Sequence, residues 1–285
     1  MAETIGIVGA GALGSLLAHQ LSHVGHSVLV LSRSGDPETL RPVSLLFLCV
    51  KAGDTEGAAG AIAGLRPKIP GVCSLQNGWE HMSLLERLLP GAPLIAGATA
   101  LGAYFDGSGT LRPSMEGVTQ VAPWGTTEAR WAEYAATVLT SAGLLAEVSE
   151  DPLGILWRKL ALYVAVNPVT ALANRQNGAL LEEPPLYRIA SEAALEVSRV
   201  GIRKGYLPAD FDPLMRLEAL LADTGGNRSS MAEDLARGRP TEAEAILGSL
   251  LRAAREESLR TPVLESLLAL IQVAEAVPPP PRQSS

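Results

Sequence analysis

Along the first half of the chain the apolar residues come in short runs; along the second half they recur every third or fourth position. The first run, residues 5–8, has the length and the Ile and Val content of a buried strand. Gly9, Gly11 and Gly14 follow it in the spacing G-x-G-x-x-G, and from Ala12 onward the apolar positions take a helical spacing. Residues 27–32 read as a second strand after the turn Gly25-His26, and residues 43–50 as a third. A helix rich in Ala and Gly is expected over 55–65. A fourth strand over 71–75 ends at Gln76-Asn77-Gly78. Residues 94–105, 110–112 and 118–122 read as further strands, with Asp106-Gly107-Ser108-Gly109 as a hairpin turn. A helix over 127–141 and a strand over 144–148 complete this half.

The link between the second and third strands is short. Only residues 33–42 separate them, and Pro37 and Pro42 lie within that link. A parallel crossover needs a dozen or more residues, so one strand–helix unit is missing here. From Asp151 the periodicity is helical. Helices are expected over 152–172, over 184–203 (opened by Pro184 and closed by Gly205), and over 213–221, 231–237, 242–257 and 263–276. The pattern gives an α/β domain over 1–150, an all-helical domain over 151–277 and a disordered Pro-rich tail over 278–285.

The order strand, glycines, helix is the context in which the glycine spacing acquires meaning. Gly9 permits the tight turn, Gly11 lets backbone approach a pyrophosphate, and Gly14 lets helix and strand pack closely. The helix N-terminus then offers N–H groups to phosphates. The N-terminal half is therefore expected to be a Rossmann-type dinucleotide-binding domain, shortened after its second strand. Gly9, Ala10, Gly11, Ala12, Leu13 and Gly14 form its phosphate loop. At the end of the second strand, where an acidic residue would bond the ribose of NAD, stands Ser32-Arg33. Arg33 reads either as a ligand for the 2′-phosphate of NADP or as a solvated surface residue. Lys51 and Asn77 end the third and fourth strands, where open α/β sheets bind ligands. The alternatives are an exposed charge and an Asn-Gly turn.

Composition narrows the partners. Hydrophobic residues make up 47% and charged residues 19% of the 285, an ordinary globular balance. The net charge of −7 argues against nucleic acid or an anionic membrane as the main partner. Cys49 and Cys73 sit in apolar runs and read as buried free thiols, which fits a reducing cytoplasm. His19, His23 and His26 have no acidic or Cys neighbour, so no metal is expected there. No apolar stretch is long enough to span a bilayer, and the short, glycine-broken apolar run at the start is not expected to act as a signal segment.

The helical half adds four polar residues and a tyrosine. Lys159, Tyr163 and Asn167, spaced i, i+4, i+8, share one face of an apolar helix. Lys159 either snorkels or serves a site. Asn167 precedes Pro168 and either satisfies backbone there or faces a ligand. Ser230 reads as an N-cap partnered by Glu233. Thr241 reads as a cap with Glu244, and Glu242 lies between them.

Together these stretches resemble the ketopantoate reductase (2-dehydropantoate 2-reductase) family: GAGALG at Gly9, VKA at Val50, LQNG at Leu75, WRKLALYVAVNPVTAL at Trp157 and SSMAEDLARGRPTEAE at Ser229. The last two stretches are the specific ones. The resemblance implies NADPH-dependent reduction of a 2-keto acid, 2-dehydropantoate to pantoate in pantothenate biosynthesis, by a cytoplasmic oxidoreductase. It implies that Lys159 is the general acid and that Glu242 binds the substrate hydroxyl. It makes Asn77, Asn167 and Ser230 substrate or cofactor contacts and Lys51 a cofactor contact, and it allows a homodimer. Two departures stand out. Tyr163 replaces the family's Asn, which places it at the substrate, and the segment after Arg33 is short. The alternatives are a reductase of the same build acting on another 2-keto acid or an opine-type substrate, and a non-catalytic NADP sensor.

Overall fold

Runs such as Leu45-Leu46-Phe47-Leu48, apolar at every position, belong to strands covered on both faces. The structure is a computed structural model and describes residues 3–65, 68–115 and 117–277; the expected tail over 278–285 lies outside them. The chain divides into two compact units, Met1–Leu156 and Trp157–Ser285. The division falls within the helix that begins at Pro152, a few residues beyond the boundary expected near Glu150.

The first unit holds β1 (Thr4–Val8), α1 (Ala12–His23), β2 (Ser27–Leu31), β3 (Leu45–Leu48), α2 (Thr55–Ala63), β4 (Gly71–Ser74), α3 (Glu80–Leu88) and β5 (Leu94–Thr99). β6 (Gly102–Phe105), β7 (Leu111–Met115), β8 (Thr119–Pro123), α4 (Arg130–Ser141) and β9 (Ala146–Val148) follow. Seven strands form one sheet in the order β2-β1-β3-β4-β5-β8-β9. The first five are parallel, β8 runs antiparallel to β5, and β9 is parallel to β8. The two-residue period of β3 sorts its side chains. Leu45 and Phe47 pack with Leu17 and Leu21 of α1 and with Ala135 and Leu139 of α4. Leu46 and Leu48 pack with Ala59 and Ile62 of α2 and Met82 and Leu85 of α3. Each such fully buried side chain contributes about 1.5–3 kcal/mol of transfer free energy.

The structure bears out the missing strand–helix unit. Between β2 and β3 stands only a 3-10 turn, Pro37–Leu40, capped by Asp36, which accepts from Glu38 N at 3.0 Å. β2 is consequently the edge of the sheet. Two expectations need correction. Residues 94–105 form two strands, not one. Thr99 Oγ1 pairs with Thr119 Oγ1 at 2.8 Å and accepts Leu101 N at 3.1 Å, so a backbone donor that would extend the ladder is spent on a side chain. β6 then leaves the sheet to pair with β7 in a separate ribbon. The helix α3 was not expected. Its burial rests on Met82 and Leu85 between charged Glu80, Glu86 and Arg87, too short a signal to separate from loop. It supplies the crossover that parallel β4 and β5 require.

The cysteines are unpaired, and burial pushes the Cys49 thiol up to about 12 and raises that of Cys73 as well. Neither is a thiolate at neutral pH. No helix among the described residues is long and apolar enough to cross a membrane.

The second unit is helical. α5 (Pro152–Ala173) runs into it and continues through Pro168. It is followed by α6 (Ala179–Glu182), α7 (Pro184–Arg203), α8 (Pro213–Thr224), α9 (Ser230–Ala236), a π-helical segment Glu244–Gly248, α10 (Ser249–Glu256) and α11 (Pro262–Ala276). α7 packs against α6, α8, α10 and α11. Trp157 is fully buried, and a Cβ placed on Gly201 of α7 would lie 2.9 Å from its ring, so only glycine admits that approach. The buried carboxylate of Glu196 on α7 accepts the N–H groups of Val263 (3.1 Å) and Leu264 (2.9 Å), closing the first turn of α11 from a neighbouring helix. A carboxylate at a helix N-terminus is favoured by the dipole as well as by the two bonds. Glu196→Ala is therefore expected to cost on the order of 2–4 kcal/mol, read as a lowered urea midpoint. An unchanged midpoint would mean that α11 is held by its apolar face alone.

Candidate active site

In the first unit the glycine turn expected to bind phosphate has the geometry that its sequence requires. Gly9 has φ +109°, a conformation L side chains rarely adopt, and a Cβ there would lie 2.9 Å from Cys49 C and Val50 N. A Cβ on Gly14 would lie 2.0 Å from Gly9 O, so α1 can start against the strand only with glycine there. Gly11 differs: a Cβ would meet nothing within 4 Å. No contact within the protein demands a glycine at that exposed position, whereas an approaching phosphate would. Gly11 is also the N-cap of α1, without a side-chain cap bond and with no acidic residue in the first turn. The positive end of α1 is thus left to an outside anion. The loop residues Gly9, Ala10, Gly11, Ala12, Leu13 and Gly14 fit a dinucleotide.

The C-terminal ends of the parallel strands carry the other expected residues of this unit. Lys51 is the N-cap of a 3-10 turn, Ala52–Asp54, that follows β3; it is exposed. Asn77, half-buried, follows β4. A buried polar chain ties these two ends together. Ser74 Oγ donates to Gln76 Oε1 at 3.2 Å, Gln76 Nε2 donates to Thr55 Oγ1 at 2.8 Å, and Thr55 Oγ1 donates to Ala52 O at 2.8 Å. Sequence reasoning passed over Thr55 and Gln76, because a single Thr and a single Gln beside a turn carry no periodic signal. Arg33 lies just past β2 and is strongly exposed, and its Nη2 donates to both carboxylate oxygens of Asp54 at 2.8 Å. Asp54 stands at the N-cap position of α2 yet makes no cap bond there. A surface ion pair contributes about 0–1 kcal/mol, and an Asp N-cap about 1 kcal/mol. Pairing with Arg33 therefore offers the fold no advantage over capping α2.

In the second unit, α5 presents Lys159, Tyr163 and Asn167 along one face, all half-buried. Residues from two other segments join them. Asn167 Nδ2 donates to Ser230 Oγ at 3.3 Å, and the hydroxyl of Tyr163 is hydrogen-bonded to Ser230 and Asn167. The tyrosine ring thus ends in the polar cluster. The cap of α9 corrects the sequence expectation. Ser229, not Ser230, is the N-cap: its buried Oγ accepts Ala232 N at 3.2 Å and lies 2.9 Å from Thr170 Oγ1. Ser230 is the first residue of the helix, which leaves its hydroxyl for Asn167 and Tyr163. Glu233 is not tied to Ser230 either; Arg228 (3.0 Å) and Arg237 (2.8 Å) hold it.

Glu242 follows a loop fixed from both sides. Asp234 binds Arg239 through Nε at 3.0 Å and Nη2 at 2.9 Å, and Glu275 Oε1 accepts Thr241 N at 2.7 Å. Thr241 Oγ1 accepts Ala243 N at 3.1 Å, and Glu244 accepts from Gln272 instead of serving as a capping partner. The helix expected from 242 begins instead with the π-helical segment, an irregular turn of a kind frequent at functional sites.

Two potential proton donors on α5 are pushed in opposite directions. Burial lowers the Lys159 ammonium to about 8, and the Glu242 carboxylate partly opposes that shift. Burial raises the Tyr163 phenol above its ordinary value, and Glu242 raises it further, more than the bonds from Ser230 and Asn167 offset. Tyr163 stays a neutral hydroxyl. Lys159 is the group whose proton can leave near neutral pH.

Comparison with known proteins decides the affiliation. Family models described as ketopantoate reductase PanE/ApbA and as its C-terminal part match residues 33–126 and 151–275. The 2-dehydropantoate 2-reductase of Archaeoglobus fulgidus is 31% identical over 296 residues, covering 96% of this chain and 98% of its own. The chain belongs to the ketopantoate reductase family. Among solved structures, the ketopantoate reductase from Ralstonia eutropha JMP134 aligns with a TM-score of 0.84 and 25% identity over 96% of this chain and 98% of that one. A D-mandelate dehydrogenase solved with NADH and anilino(oxo)acetate shares the fold, with a TM-score of 0.87 at 21% identity over 96% and 98% of the two chains. The family is one of pyridine-nucleotide-dependent oxidoreductases acting on small keto acids. Its fold is a Rossmann-like sheet followed by a helical domain, as here.

Proposed function

We propose that this chain reduces a 2-keto acid with NADPH, with 2-dehydropantoate as first candidate and pantothenate synthesis as its setting. The observation that carries the reading is the state of Lys159: an ammonium lowered to about 8 by burial, beside the Glu242 carboxylate. A ketone gains negative charge on oxygen as hydride adds to it. Lys159 stabilises that oxygen and protonates it. Glu242 accepts a hydrogen bond from the substrate hydroxyl, and Asn167 and Ser230 orient the polar groups of the acid. Gly9–Gly14 and Arg33 hold the dinucleotide, with Lys51 and Asn77 at its other end. The nicotinamide, when bound, supplies the hydride. A non-catalytic sensor would have no use for an ammonium kept at such a cost in desolvation. An assay of NADPH oxidation against a panel of 2-keto acids tests the proposal; no turnover of any of them would overturn it.

Tyr163 favours a second reading, in which the preferred acid is slimmer or more apolar than ketopantoate. A Tyr is larger than the family's Asn and offers one hydroxyl in place of an amide's two functions. Here that hydroxyl is engaged by Asn167 and Ser230, so the ring occupies space beside the groups that would bind substrate. Tyr163→Asn is expected to raise kcat/KM for ketopantoate relative to a smaller 2-keto acid by roughly 10-fold, the scale of a change of one or two methylenes in a pocket. If wild type already turns over ketopantoate at about 10⁴ M⁻¹s⁻¹ or more and the variant is no better, Tyr163 is a packing residue.

A further inference from the structure

The sheet order β2-β1-β3 places the residues that follow β2 and β3 on either side of the strand carrying the glycine turn. Arg33 comes from the first of these ends and Asp54 from the second, and they meet at 2.8 Å across the end of β1. In dinucleotide folds an acid at the end of the second strand reads the ribose 2′-hydroxyl, and a nearby Arg accommodates a 2′-phosphate. This chain has Ser32-Arg33 at that end and brings its acid there from the turn after β3. Asp54 does so while leaving the cap of α2 unmade. Both side chains remain accessible, 86% for Arg33 and 45% for Asp54, so the pair is open to a ligand.

We propose that Asp54 sets the preference between phosphorylated and unphosphorylated dinucleotide. The inference rests on the NADPH reading above. Its carboxylate accepts the 2′-hydroxyl of NADH, while toward NADPH it competes with the 2′-phosphate for Arg33 and repels its charge. Arg33 and Asp54 together read the 2′ position in both directions, and the protein uses both cofactors with a modest preference.

The test is the dissociation constant of the whole protein for NADPH and for NADH, measured by nucleotide fluorescence titration in wild type, Asp54→Asn, Asp54→Ser and Arg33→Ala. Asn and Ser are both good N-caps, so these variants keep α2. The expected result is tighter NADPH and weaker NADH in both Asp54 variants, a rise in the NADPH:NADH preference of about tenfold or more, equivalent to about 1.4 kcal/mol. Arg33→Ala should change the ratio in the opposite direction, by a similar factor, through NADPH alone. A ratio within twofold of wild type in both Asp54 variants, with Arg33→Ala still selective against NADPH, would overturn the role of Asp54 and leave the NADPH reading standing. Equal effects of Arg33→Ala on both nucleotides would overturn Arg33 as the reader of the 2′-phosphate and this inference with it; no binding of either nucleotide to wild type would overturn the NADPH reading as well.

Discussion

Lys159→Ala is expected to lower kcat by on the order of 10²–10⁴, the range for loss of a general acid, while the affinity for NADPH changes far less. The wild-type rate should be constant at lower pH and fall as pH rises through about 8, because the proposed role requires the ammonium and burial has brought its pKa to that value. The Ala variant should lose that basic limb along with the rate. Lys159→Arg separates charge from proton: a guanidinium keeps the positive charge but cannot release a proton in this range, so substrate binding should survive better than turnover. A second consequence concerns stability. The unfolded chain holds the Lys159 proton up to its ordinary value of 10.5, and the folded protein releases it near 8. Between those two values the unfolded state binds more protons, so stability rises with pH. Below about 8 the fold carries the cost of a desolvated ammonium. Lys159→Met should therefore be more stable than wild type at pH 7 while being inactive, the trade expected of an active-site charge. Near wild-type turnover in Lys159→Ala would remove Lys159 from the chemistry.

Much of this was legible in the sequence, and the failures have identifiable causes. The glycine turn was readable because Gly9 and Gly14 each answer a steric demand of the strand–helix turn, whereas Gly11 answers none within the protein and is legible only from its spacing. The shortened crossover was readable because the reach of the chain is fixed. The face Lys159–Tyr163–Asn167 was readable because helical spacing alone places it. The cap at Ser229-Ser230 was not: two adjacent serines satisfy the same pattern, and only the fold shows that Ser229 also meets Thr170. The π-helical segment after Glu242 leaves no trace in apolar periodicity. Nor could local sequence show that Asp54 abandons its cap for Arg33, since that pairing depends on which strands flank β1.

Glu242→Gln is expected to lower kcat/KM for the 2-keto acid by roughly 10- to 10²-fold, the effect of losing a charged hydrogen-bond acceptor worth about 1.5–3 kcal/mol. It should also move the pH profile, and the sign follows from charge. The Glu242 carboxylate favours the charged form of Lys159 and so opposes the effect of burial. A neutral amide leaves burial unopposed, the Lys159 pKa drops below about 8, and the basic limb of the profile moves to lower pH. The variant should therefore lose more activity at pH 8 than at pH 6.5. Arg239→Ala provides a graded comparison, because the Asp234–Arg239 pair fixes the loop that leads to Glu242 without itself carrying the acid. It should raise KM more than it lowers kcat, with the limb displaced less than in Glu242→Gln. If the Gln variant showed a raised KM with its basic limb unmoved, Glu242 would bind substrate without tuning Lys159. If instead the limb moved and kcat/KM at pH 6.5 stayed within twofold of wild type, the carboxylate would tune the acid without touching the substrate, and its proposed bond to the hydroxyl would be wrong.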